Sequence, residues 1–79
     1  GDEPVDDMLT QAIDCVVEAG GASTSLLQRR LRIGYGRAAR IIDEMEERGI
    51  IGSMDGSKPR AVLITRQQWA EMKMRSYNN

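Results

Sequence analysis

Five arginines, Arg29, Arg30, Arg32, Arg37 and Arg40, fall within residues 19–42, a stretch that holds no acidic residue. A guanidinium presents planar N–H forks that match two phosphate oxygens or the O6/N7 edge of guanine, so an acid-free arginine cluster suits duplex nucleic acid. The acids are sorted to either side. Asp2, Glu3, Asp6, Asp7, Asp14 and Glu18 precede the cluster with no base among them, and Asp43, Glu44, Glu46 and Glu47 follow it against Arg48. Beyond Ile50 the balance is basic again, with Lys58, Arg60, Arg66, Lys73 and Arg75 against Asp55 and Glu71. The formal net charge of −1 therefore conceals opposed local fields, and local fields are what steer a partner. Solvated arginines on a helix surface, with Arg37 or Arg40 paired to Glu44, use the same residues without any ligand.

Other reactive side chains are few. The 79 residues include no histidine and one cysteine, which excludes a disulfide framework, a Cys/His metal or haem site and a Cys/His nucleophile pair built within the chain. No GxxxxGK[ST] phosphate loop occurs, so neither catalysis nor a metal or cofactor is expected here. Cys15 falls off the apolar face of its helix and reads as a peripheral thiol. No apolar run approaches the roughly 20 residues that span a bilayer. The start "GDEPVDD" is acidic where a signal peptide is basic, and Gly1 reads as a cloning remnant or the cut end of a longer protein. A single cytoplasmic domain without direct membrane contact is the expectation.

The elements that must position the arginines are visible as periodicity. Leu9, Ala12, Ile13, Val16 and Val17 recur on one face of a first helix over residues 7–19, with Asp6 or Asp7 as N-cap and Gly20 or Gly21 as stop. Ser25 and Gln28 form a capping box for a short second helix that buries Leu26, Leu27 and Leu31. The glycines of "RIGYG" make the turn into a third helix over residues 35–48, ended by Gly49. Ile50–Ile51 and residues 61–64 then read as strands of a β-hairpin with a polar tip, "GSMDGSKPR", with Pro59 tolerated at the edge. The predicted fold class is mainly α with a small β-hairpin, a winged helix-turn-helix: a three-helix core plus a wing. Residues 1–6 form a flexible start, 7–64 the domain and 65–79 a helical tail. In that tail Thr65 and Gln68 make a second capping box, and Trp69 and Met72 share one side, Trp69 as a core or interface anchor rather than a stacking residue, with fraying before Asn79.

At about 100° per residue, Ala38, Ile41, Ile42 and Met45 form the buried stripe of the third helix. Gly36, Ala39, Arg40, Asp43 and Glu47 then face outward, with Arg37 and Glu44 on a flank. Small residues at 36 and 39 permit close approach to a surface. Arg40 can donate twice to guanine and Asp43 can accept from cytosine N4, with the amides near Tyr35 and Gly36 and the positive helix end adding phosphate affinity. Arg29, Arg30, Arg32, Lys58 and Arg60 are the expected backbone contacts, which give salt-dependent affinity without sequence choice. Only the first half of the helix enters the groove on this reading, because Glu46 and Glu47 must tilt away from phosphates.

The fragments "LLQRR", "RIGY", "RAARIID" and "GSKPR", in this order, resemble the C-terminal γ domain of FtsK/SpoIIIE-type DNA translocases over residues 7–64. The resemblance implies a winged helix that reads short, G-rich, polar chromosomal sequences at the end of a membrane-anchored, hexameric ATP-driven motor. It implies double-stranded DNA and the motor domain as partners, and in some members a Xer-type recombinase, with a role in orienting translocation during division or sporulation. Base reading falls by the same resemblance on Gly36, Arg40 and Asp43. Family members often carry Asn or Thr where this chain has Gly36 and Glu where it has Asp43. A contact made by the side chain at 36 is then lost, replaced by water or taken over by Arg37. A winged-helix transcription regulator would instead need a dimerising segment, which the tail alone could supply, and a protein-interaction module would need apolar residues on the outward face of the third helix, where there are none.

Overall fold

The computed structural model describes residues 6–77, with side chains to residue 75, and forms four helices: α1 Leu9–Ala19, α2 Thr24–Leu31, α3 Tyr35–Glu47 and α4 Arg66–Tyr77. Leu9, Ala12, Ile13 and Val16 of α1, Leu27 of α2 and the stripe Ala38, Ile41, Ile42 and Met45 of α3 meet in one core, completed by Ile50, Ile51 and Trp69. Leu26 and Leu31 pack at its edge rather than inside it. The core is wholly apolar: among the described residues no polar or charged side chain is buried. Cys15 lies at the margin, half-buried, and burial raises its thiol above the ordinary value.

The helix ends follow local chemistry, with three corrections to the sequence reading. Neither Asp6 nor Asp7 is the N-cap of α1; Met8 holds that position, and Asp6 folds back so that its Oδ1 accepts the Met8 N–H at 2.8 Å. Ser23, not Ser25, caps α2, its Oγ accepting the Leu26 N–H at 3.1 Å. The reason is geometric. A cap needs extended backbone, Ser23 has it at φ −153° and ψ 156°, and Ser25 is already inside the first turn. In the α2–α3 turn the left-handed residue is Arg32, at φ 55°, while Gly34 caps α3 with an extended backbone. The stops at Gly20 and Gly49 are as expected, both at positive φ. Gly49 donates to Glu46 O and Ile50 to Met45 O, a paired arrangement that satisfies the last carbonyls of α3.

The segment after Gly49 is not a ladder of two strands. Pairing consists of isolated antiparallel bridges, Ile51 with Val62 and Asp55 with Lys58, and Arg60 pairs with Ala22 instead of with the outgoing segment. Both Arg60 backbone groups are engaged by Ala22, at 2.8 and 3.0 Å, and Pro59 has no N–H to offer. The returning chain is thus stitched alternately to the α1–α2 connection and to residues 50–52. In the tail, Gln68 N–H donates to Thr65 Oγ1 at 3.0 Å and Thr65 N–H to Gln68 Oε1 at 2.8 Å, the expected reciprocal box. Trp69, 9% exposed, enters the α1 side of the core and donates its Nε1–H to Asp14 Oδ1 at 2.7 Å. Burial pushes the Asp14 carboxyl up, but the Trp69 and Lys73 hydrogen bonds and the Lys73 charge together outweigh it and hold the carboxyl below its ordinary value. The expected fraying before Asn79 lies outside the described residues.

Candidate nucleic-acid interface

The outward side of α3 carries two groups of side chains. Around its first turn stand Gly36, Arg37 and Arg40. The site of a Cβ on Gly36 would lie 3.9 Å from Arg40 Nη1, so the Arg40 side chain leans back over the glycine. Arg40 makes no ion pair among the described residues, and Glu44, the partner that a purely structural role would give it, is taken by Arg48 at 2.7 Å. Arg37 is different. Its Nε and Nη2 donate to Asp6 Oδ2 and Oδ1 at 2.9 and 2.8 Å, and Nη2 donates again to Asp7 Oδ1 at 2.7 Å. This guanidinium, with the Met8 N–H second, holds the Asp6 carboxyl at about 2, and Asp6 in turn raises the Arg37 value.

The second group lines a groove of about 420 Å³ between α3 and the 52–60 loop, where Tyr35, Asp43 and Lys58 converge on Ser23 and Thr24 at the start of α2. Asp43, Lys58 and Tyr35 are exposed. Arg60 also lines it, but its side chain is only 14% exposed and is paired with Glu46 at 2.7 Å, so it ties the loop to α3. Glu46 is thereby turned toward the loop, while Glu47 stays exposed.

Arg29 and Arg30 lie in the last turn of α2, where a positive charge also complements the helix dipole. Arg30 is 3.7 Å from Glu18, a loose contact between exposed side chains, whereas Arg29 and Arg32 are exposed without an ion pair among the described residues. The structure therefore gathers Gly36, Arg37 and Arg40 in one place, Tyr35, Asp43, Lys58 and Arg60 in another, and leaves Arg29, Arg30 and Arg32 at the other end of α2. Asp6 and Asp7, which grip Arg37 across 31 and 30 residues, stand in the sequence reading only as candidate N-caps and not as partners of an arginine. The adjoining acidic and basic blocks are their one trace there, and a block does not say which acid meets which base.

Comparison with known proteins places this arrangement. The family model described as the Ftsk gamma domain matches residues 3–65, most of the chain. The chain belongs to the FtsK γ domain family. It is 66% identical over 64 residues to the DNA translocase FtsK of Clostridium tetani, covering 81% of this chain and 9% of that protein. It is 50% identical over 70 residues to the DNA translocase SpoIIIE of Bacillus subtilis, covering 89% of this chain and again 9% of the relative. A DNA translocase FtsK of Caldanaerobacter subterraneus is 54% identical over 67 residues. The chain thus spans about a tenth of the length of these curated relatives, 9%. The γ domain is a small non-catalytic part of them. The match ends at residue 65, where α4 begins at Arg66. Among the described residues no helix is long and apolar enough to cross a membrane.

Proposed function

We propose that this chain is a winged-helix domain that binds duplex DNA, reads short G-rich polar sequences and so orients the translocase of which it is a part. One observation carries the reading: in a chain of this family, Arg40 stands unpaired among the described residues on the outward side of α3, above a glycine and beside Ala39. A guanidinium that no carboxylate among the described residues grips, on a helix face made shallow by small residues, is suited to a guanine edge in the major groove. Asp43, one turn on, is the second reader, accepting from cytosine. Arg29, Arg32 and Lys58 neutralise backbone phosphates, with Arg30 joining them as it leaves Glu18. The bridged segment 50–63 is the wing, held to α3 by Arg60 and presenting Lys58 at its turn. Motor loading and the direction of movement, in chromosome segregation during division or sporulation, follow from which DNA word is held. The ATP-driven motor belongs to the remainder of the protein on the cytoplasmic side of the membrane, and a Xer-type recombinase is a further partner of the same domain.

Titration of the chain with a G-rich duplex and a base-scrambled duplex of equal length tests this. Tighter binding to the G-rich duplex is expected, with affinity for both falling steeply between about 50 and 200 mM salt. Arg40→Ala removes the preference, worth about 1–3 kcal/mol, whereas Arg29→Ala or Lys58→Ala weakens both duplexes alike. Equal affinity of the unsubstituted chain for the two duplexes overturns the orienting role.

A further inference from the structure

The Arg37 cluster has a feature that simple exposure does not explain. A guanidinium has five N–H donors in a plane, arranged as a side-on fork (Nε and one hydrogen of Nη2) and an end-on fork (the other hydrogen of Nη2 and one of Nη1). Asp6 takes the whole side-on fork, with Nε on Oδ2 and Nη2 on Oδ1. Asp7 takes the Nη2 half of the end-on fork, and Nη1 has no hydrogen-bond partner among the described residues. The two acids are held very differently. Asp6 is 23% exposed and also accepts the Met8 N–H, so it is built into the start of α1. Asp7 is 90% exposed, and that single contact is its only side-chain bond among the described residues.

We propose that Asp7 is an exchangeable stand-in for a DNA phosphate on Arg37, while Asp6 is a positioning residue that holds the guanidinium edge-out to receive one. The inference rests on the DNA-binding reading above. When duplex approaches the first turn of α3, a backbone phosphate displaces the Asp7 carboxylate, which returns to water at little cost because it is already exposed. Nη1 and Nη2 then grip two phosphate oxygens in the end-on geometry, the bidentate pairing at which arginine excels. Asp6 stays in place throughout, and the low value of its carboxyl keeps it ionised at any pH near neutrality. Arg37 is on this account a phosphate contact and not a base reader, and the acid beside it weakens binding to every sequence equally.

The test is a double-substitution cycle read by duplex affinity. Asp7→Asn is expected to tighten binding to both the G-rich and the scrambled duplex about threefold, the effect of one exposed ion pair that DNA no longer has to break, and to leave their ratio unchanged. In an Arg37→Gln background the same Asp7→Asn change is expected to do nothing measurable. Arg37→Met, uncharged and of similar length, serves as the second background, with the same absence of effect expected, should Arg37→Gln unfold, and thermal melts identify that case. Asp6→Asn is expected to weaken both duplexes, with Asp6→Glu restoring part of the loss. An Asp7→Asn effect of equal size with and without Arg37 would show a general charge effect and overturn the proposal, as would no effect or weaker binding. Absence of duplex binding by the unsubstituted chain removes the DNA reading itself, and the exchange with it; duplex binding indifferent to Asp7 removes only the exchange.

Discussion

Arg37 and Arg40 are one helical turn apart and of one residue type, yet one is gripped by two carboxylates and the other makes no ion pair among the described residues; the difference comes from a segment about thirty residues away. The Asp6 grip has a measurable signature in acid. Its folded value of about 2 lies below the ordinary 3.8, so its stabilisation is complete above about pH 4 and is lost as the pH falls through about 2. Asp6→Asn is expected to lower stability at pH 7 by about 1 kcal/mol, roughly 5 °C in melting temperature, with the difference from the unsubstituted chain vanishing toward pH 2. A gap undiminished as the pH falls from about 4 through about 2 would mean that the carboxylate charge is not what stabilises. Gly36 offers a second residue-scale check. It sits in the first turn of α3, and an added Cβ would make only ordinary contact with Arg40, so Gly36→Ala is expected to stabilise by about 0.5–1 kcal/mol in a denaturant melt. Residue types made the arginine-rich face and its buried opposite side legible in the sequence, because both depend on helical periodicity alone. The Asp6–Arg37 pairing was not legible, because it depends on how the start of α1 lies across α3.

Caps and turns are decided one level up, by neighbouring elements. Ser23 and Ser25 were both able to cap α2 by type, and the choice fell to Ser23 because the Ala22–Arg60 bridge holds the preceding chain extended. Ser23→Ala is expected to cost about 1 kcal/mol and Ser25→Ala very little, a contrast that paired denaturant melts resolve. Arg32 shows the same dependence. The turn was legible from its glycines, but the left-handed position went to an arginine, at a cost of about 1–2 kcal/mol for a side-chain-bearing residue. Arg32→Gly is therefore expected to hold or raise the melting temperature while weakening all duplexes alike, which separates its phosphate role from its backbone strain. The loop from 52 to 60 has few backbone bonds of its own, and Arg60–Glu46 is its ion-pair tie to α3. Glu46→Gln is expected to speed amide exchange within residues 53–58 without changing the global melt. A hairpin was the natural reading of two apolar runs around Asp55-Gly56; what periodicity could not convey was that Arg60 pairs sideways with Ala22.

At the scale of the whole molecule, α1 is the helix against which α4 packs among the described residues, and Trp69 is its part of the common core. A chain ending at Thr65 contains the whole family match and still leaves α1 with an uncovered apolar face. Such a truncation, or Trp69→Ala, is expected to cost about 3–5 kcal/mol by thermal unfolding, and Trp69→Phe, which loses the bond to Asp14 but keeps the ring, about 1 kcal/mol. The helical spacing of Trp69 and Met72 announced a packed side for this helix; its destination on α1 depended on Asp14, an exposed acid whose partner no spacing rule names. The same residue gives the molecule an optical readout. Trp69 is the one tryptophan in the chain, and its indole is shielded in the α1–α4 seam with Lys73 Nζ 5.5 Å above the ring. Its emission therefore reports the closing and opening of that seam, and a ligand taken by α3 leaves its colour unchanged unless the binding also moves α4.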